Sequence, residues 1–141
     1  MKRILFAALP LLALACGPTE RQYTVDVHNH SDAPYTVLLT KDGPPAEIGW
    51  ASPEDMNEKL QTAPPKAMTY VEVPPGKSAR NSRTGRFNSG TGAILRIYRG
   101  SQTPDAMLGI SPASALRVDL PLLPGDNDIA IDKTGQASVT R

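Results

Sequence analysis

From Tyr23 the chain alternates: Tyr23, Val25, Val27 and Asn29 fall on one face, and Thr24, Asp26, His28 and His30 on the other. This period of two is that of a half-buried strand. Residues 29–34 supply Asn, Ser, Asp and Pro, whose local hydrogen bonding and fixed φ turn the chain, and a second apolar run follows through Tyr35, Val37, Leu38 and Leu39. The pattern predicts a hairpin over about residues 22–40.

Further along, residues 46–51 read as a short strand carrying Trp50, the sole tryptophan. Ser52 then has the chemistry of a helix N-cap, with Pro53 at the first helical position and Glu54 and Asp55 in the first turn, which predicts a short helix near 53–60. Residues 68–73 alternate again, and Pro75-Gly76 turns the chain. Residues 77–92, rich in Arg, Ser, Asn and Gly, read as a ragged edge strand and loop. Residues 93–98 are apolar on both faces apart from Arg96, as a central strand requires. Residues 107–110 are expected to pair weakly, and Leu116, Val118 and Leu120 alternate with Arg117 and Asp119 as a further half-buried strand. Ile129 and Ile131 share a face, residues 132–135 turn, and a last strand closes a hairpin. About eight short strands between turn signals predict an all-β fold, an antiparallel β-sandwich in a single domain.

Composition agrees with short elements. Fourteen prolines in 141 residues is about twice ordinary usage and disfavours long helices. The formal net charge of +1 gives no global field for nucleic acid, which is not an expected partner. There is one cysteine, so the fold depends on its apolar core without an internal disulfide.

The first residues differ in kind. Lys2 and Arg3 precede residues 4–15, which are uncharged and almost wholly apolar, and Gly17, Pro18 and Glu20 end the run. That is the order of an export signal, and it falls short of the about 20 residues a spanning helix needs. Ala13-Leu14-Ala15-Cys16 resembles the lipobox of bacterial lipoproteins, although Leu more commonly stands three residues before the cysteine than two. The resemblance implies a removed signal peptide at 1–15, acyl chains on Cys16, a lipidated tether at 16–22 and a domain at 23–141. It also gives the lone thiol a use. Removal of Lys2 and Arg3 takes the formal charge from +1 to about −1. In a Gram-negative cell, Gly17 after the cysteine resembles the sorting pattern for the outer membrane, which implies a domain facing the periplasm or the cell surface. Near the other end, Leu123-Pro124-Gly125 with Asn127, Ile129, Ile131, Asp132 and Gly135 resembles the close of bacterial immunoglobulin-like modules, and implies an immunoglobulin-like form of the sandwich.

Two clusters carry candidate chemistry. His28 and His30, two apart on a strand, point the same way with Asp26, a pattern suited to Cu or Zn if a third ligand joins them. Lys77, Arg80, Arg83 and Arg86 open a segment, 77–99, that holds no Asp or Glu, and three glycines loosen its loop. Such a segment suits phosphate or carboxylate groups of an anionic envelope polymer. No nucleophile–histidine pattern, His-Glu-x-x-His or P-loop spacing occurs. Glu54, Asp55 and Glu58 crowd one short helix, where they suit its dipole better than acid–base work. The expectation is a membrane-anchored, non-catalytic envelope module for binding or support. It needs no cofactor, and its partners are the membrane and an envelope protein or anionic polymer. Metal binding at His28 and His30 and anion binding along 77–99 are the alternatives.

Overall fold

The computed structural model describes residues 17–58 and 68–140. The export signal, Cys16, the expected helix end near Leu60 and Pro64-Pro65 lie outside the described residues. In chain order the elements are β1 (Thr19–Asn29), β2 (Tyr35–Lys41), α1 (Pro53–Glu58), β3 (Tyr70–Val73), β4 (Ser78–Phe87), β5 (Ala93–Arg99), α2 (Pro104–Leu108), β6 (Arg117–Pro121), β7 (Gly125–Ile131) and β8 (Ala137–Val139). They form two four-stranded sheets, β4-β1-β7-β8 and β3-β2-β5-β6. This is the expected β-sandwich. Among the described residues all pairings are antiparallel except β1 with β7, which is parallel, so the first sheet is mixed.

The core between the sheets takes one face of each strand. Tyr23, Val25, Val27, Phe87, Ile129 and Ile131 from the first sheet meet Tyr35, Val37, Leu39, Val73, Leu95 and Ile97 from the second. The opposite face of the second sheet is also covered. Leu38 and Tyr98 emerge there and pack with Met68 and with Met107 of α2, while Met56 of α1 and Ile110 border the cluster. The double apolar face of β5 therefore has a simple cause: its second face lies beneath the helices. On the same outer face Arg117 is buried beside Tyr98, whereas Val118, its neighbour on β6, turns to the face of Ile97 and stays 37% exposed because that strand is an edge.

The expected hairpin at 22–40 does not form. β1 and β2 belong to different sheets, and residues 30–34 carry the chain across the sandwich. Alternation tells which face of a strand is buried but not which strand lies beside it, and both runs bury their apolar face in the same core. The crossing is built on Asn29, which is only 1% exposed. Its amide nitrogen donates to the carbonyls of Ala33 (2.8 Å), Val73 (3.0 Å) and Pro74 (3.2 Å). Its oxygen accepts from the Ser31 N–H (3.0 Å) and hydroxyl (2.8 Å).

Two other expectations change for local reasons. Residues 46–51 are not a strand: the Trp50 N–H donates to the Glu47 carbonyl at 3.1 Å, and Gly49 has φ +85°, so the chain turns. Residues 107–110 do not pair as a strand; Thr103 instead caps α2, its side chain accepting from the Ala106 N–H, and Pro104 starts the helix. Ser52 caps α1 as expected, with its hydroxyl accepting from the Asp55 N–H (3.2 Å) and its own N–H donating to the Asp55 carboxylate (2.9 Å).

Asn29→Ala is expected to lower stability by about 2–4 kcal/mol, because the buried Val73 carbonyl, the buried Ser31 N–H and two partly buried carbonyls lose their partner. Urea denaturation reads this as a lower midpoint at an unchanged slope. A loss below about 1 kcal/mol would show that the crossing stands without the carboxamide.

Candidate functional site

The registers place six strand ends together: the start of β1, the ends of β2 and β4, the start of β5, the end of β6 and the start of β7. This amino-terminal pole joins both sheets. Arg21 of β1 donates to the Thr91 carbonyl at 2.8 Å, and Lys41 of β2 donates to the Arg86 carbonyl of β4 at 2.7 Å. β1 starts earlier than its apolar alternation does. Residues 19–22, expected in the tether, pair with 84–87 as a ribbon of the sheet. Their polarity suits a ribbon beyond the core as well as it suits a linker.

The loop 42–52 is latched to the side of this pole by three side chains. Lys41, with only 5% of its side chain exposed, forms an ion pair with Glu47. Its ammonium also donates to the Pro45 carbonyl at 3.0 Å and lies 4.7 Å from the centre of the Phe87 ring. Glu47 in turn accepts from the Arg86 N–H at 2.9 Å. Trp50 donates from its indole N–H to the Thr84 carbonyl at 3.2 Å, and its ring meets Phe87 edge-on at 5.3 Å. Burial raises the Glu47 pKa, but Lys41 and the Arg86 N–H outweigh it and hold the carboxyl below its ordinary value. Backbone groups on the open side of β4 are thus occupied by side chains, which blunts an edge that would otherwise accept another strand.

Gly85 makes the latch possible. A Cβ there would sit 2.6 Å from the Trp50 indole nitrogen. Between the latched loop and α1 lies a groove of about 600 Å³, bordered by Pro45, Ala46, Ile48, Trp50, Met56 and Arg96. Ile48 at the crest of the loop is 80% exposed.

On the outer face of the second sheet, ion pairs hold α1 down. Glu54 accepts from Arg96 at 2.5 Å and from Arg117 at 3.2 Å, and Arg117 grips Asp119 with two bonds of 2.8 Å. Partial burial disfavours the Glu54 charge, but the Arg96 hydrogen bond leads the opposing effects and the pKa falls from the ordinary 4.5 to about 2. Glu54 thus does more than complement a helix dipole: it joins α1 to two strands.

The candidates named from sequence fall elsewhere. His28 and His30 share the outer face of the first sheet near the far pole, rings stacked at 6.4 Å, with the His28 Nδ1 2.7 Å from the Ser78 hydroxyl. Asp26 shares that face but is engaged by Arg80 at 2.8 Å. Among the described residues, no group of three or more His, Cys, Asp or Glu is placed to hold a metal ion. Lys77 is exposed in the turn before β4.

The arginines are divided by the pleat. Arg80 and Arg86 are exposed, whereas Arg83, an odd number of residues from each, turns to the other face. There its guanidinium lies 6.0 Å from the Trp50 ring centre and donates to the Thr69 hydroxyl at 2.6 Å, and burial lowers its pKa. The sequence reading missed Lys41, Glu47 and Ile48; the available signal was the rigid Pro44-Pro45 pair beside the only tryptophan.

No protein-family model matches the chain, and no curated protein sequence matches it. Solved structures similar to the chain include two components of bacterial secretion systems. Serratia marcescens Lip, a membrane-bound component of the Type VI secretion system, is 12% identical over 86% of this chain and 98% of that one, with a TM-score of 0.40. The Type VI secretion lipoprotein TssJ1 of Pseudomonas aeruginosa is 14% identical over 87% and 95%, with a TM-score of 0.38. Those roles belong to those proteins, and likenesses of this size carry neither function nor partner to this chain.

Lys41→Met keeps the apolar stem and removes the ammonium, leaving the Glu47 carboxylate and two carbonyls without their donor. A loss of about 2–3 kcal/mol is expected, and hydrogen exchange should quicken at the Arg86 amide. Unchanged protection there would show that the loop holds without Lys41. The Glu54 contribution has a defined pH window: it is present above about 4.5, where the unfolded carboxyl is charged, and is lost as pH falls towards about 2. With solvent screening at this half-exposed group it is worth roughly 1 kcal/mol. Glu54→Gln should therefore lower stability at pH 7 and leave it nearly unchanged at pH 2; an equal loss at both would exclude the ionic origin.

Proposed function

We propose that this chain is a lipid-anchored envelope lipoprotein whose β-sandwich serves, without catalysis, as a binding or support module on the membrane. The observation that carries the reading is the junction between the lipobox and the fold. Cys16 closes the lipobox, and β1 begins at Thr19, so Gly17 and Pro18 alone separate the acylated residue from the sheet. Three Cα–Cα steps reach at most about 11 Å, so the anchor fixes where the domain stands and which end of it meets the membrane. Two or more acyl chains hold a protein on a bilayer where a single chain does not.

A non-catalytic role suits the chemistry present. The two histidines lie together on an exposed sheet face. Glu54, whose carboxyl pKa falls to about 2, is committed to Arg96 and Arg117. The latched loop and its groove form a concave surface, and apolar side chains border much of it, as suits recognition of a surface or a partner.

Cys16→Ser is the direct test. Metabolic labelling with a fatty acid should mark the native chain and not the variant, and the variant should leave the membrane fraction. If the variant keeps both the label and the membrane association, the anchor lies elsewhere and the reading fails.

A further inference from the structure

The amino-terminal pole presents apolar side chains as well as the start of the chain. Ile48 is 80% exposed and Leu123 is 53% exposed. Ile48 follows Glu47, which holds the Arg86 amide, one residue from the Phe87–Thr19 pair that ends the β1–β4 ribbon. Leu123 lies in the short connection between β6 and β7, and Asn127 holds it through bonds of 3.2 Å to its N–H and 2.8 Å to its carbonyl. Neither side chain is on a loose segment. Ile48 is flanked by the Glu47 and Trp50 latches, so placing it in a new environment costs little ordering.

Chain length fixes what that environment is. An acylated Cys16 has its sulfur at the boundary between headgroups and acyl chains, and the interfacial region is about 5–8 Å deep in each leaflet. That depth uses most of the about 11 Å that three Cα–Cα steps allow. β1, with 11 residues, is about 35 Å long, so the far pole stands well clear of the bilayer while the amino-terminal pole has no room to leave it. We propose that this pole lies on the lipid surface, with Ile48 and Leu123 entering the interface and Arg21 and Arg86 among the headgroups. The proposal rests on the anchored reading of Cys16. Glu20, Asp42 and Asp126 share the pole with those arginines, so the contact is apolar in origin and only weakly dependent on salt.

The sequence itself supplies a clean probe. Acylation consumes the only native thiol, so a cysteine introduced elsewhere is the single labelling site. Full-length acylated protein carrying either Ile48→Cys or, at the far pole, Asp32→Cys is labelled with an environment-sensitive fluorophore. It is then reconstituted into phosphatidylcholine–phosphatidylglycerol vesicles. At position 48 the emission should shift to the blue and brighten several-fold, and nitroxide-labelled lipid should at least halve it. At position 32 the spectrum should stay aqueous. These differences should persist when salt is raised. Aqueous spectra at both positions in protein whose mass shows the acyl chains would overturn the proposal and leave the anchor intact. A mass without acyl chains, with Cys16 itself taking the label, would remove the anchor reading and the proposal together.

Discussion

A buried carboxamide at the end of β1 determines how the two sheets are joined. Asn29 completes the first sheet at one edge of its core and, through its amide nitrogen, bonds the carbonyls of Ala33, Val73 and Pro74 across the gap to the second. Without those bonds the buried Val73 carbonyl and two partly buried ones would lose a partner, which is costly. Asn127 does the matching work at the opposite pole, where it bonds the carbonyls of Thr24, Leu123 and Gly125. The strands of the core are interchangeable apolar alternations, and these two polar residues distinguish the ends.

From that arrangement the second sheet acquires two buried faces. Its inner face meets the first sheet, and its outer face needs a cover, which the short helices supply through Met107, Met56 and the Glu54–Arg96 and Glu54–Arg117 pairs. At the amino-terminal pole the strand edges need a cover of a different kind. There Lys41, Glu47 and Trp50 take the free backbone groups of β4, and the loop they hold projects Ile48 outward. Edge protection and the presentation of an apolar side chain thus come from one latch. The same pole is where β1 begins, separated from Cys16 by Gly17 and Pro18, so under the proposed anchor the residues that close the sheet edge lie on the membrane side.

Much of the strand layout was legible because alternation and turn chemistry act locally. The inward face of β1, the long edge strand β4, the central β5, the Ser52 cap and the β7–β8 hairpin all follow from near neighbours in sequence. Other features depended on partners far along the chain. The 22–40 hairpin failed because two equal apolar faces do not state which strand lies between them. Met107 and Leu108 became the end of a helix because Thr103 and Pro104 outweighed a weak apolar run. The arginine cluster at 80–86 divided because a strand sends residues an odd number apart to opposite faces, a rule that sequence proximity conceals. The latch was not legible at all, since Lys41 and Arg86 are brought together only when the sheets pack.

The sequence by itself determined the class, through alternating segments that must each bury one face, and its charged start, short apolar run and lone cysteine are what the proposed anchor rests on. Tertiary structure alone decided the order of the strands, the parallel β1–β7 pair, the helical cover and the pole on which Ile48 and Leu123 stand. The reason is physical. Periodicity records how each segment divides its own side chains between core and solvent, whereas pairing, ion pairs and exposed patches arise from contacts between segments that become neighbours only on folding.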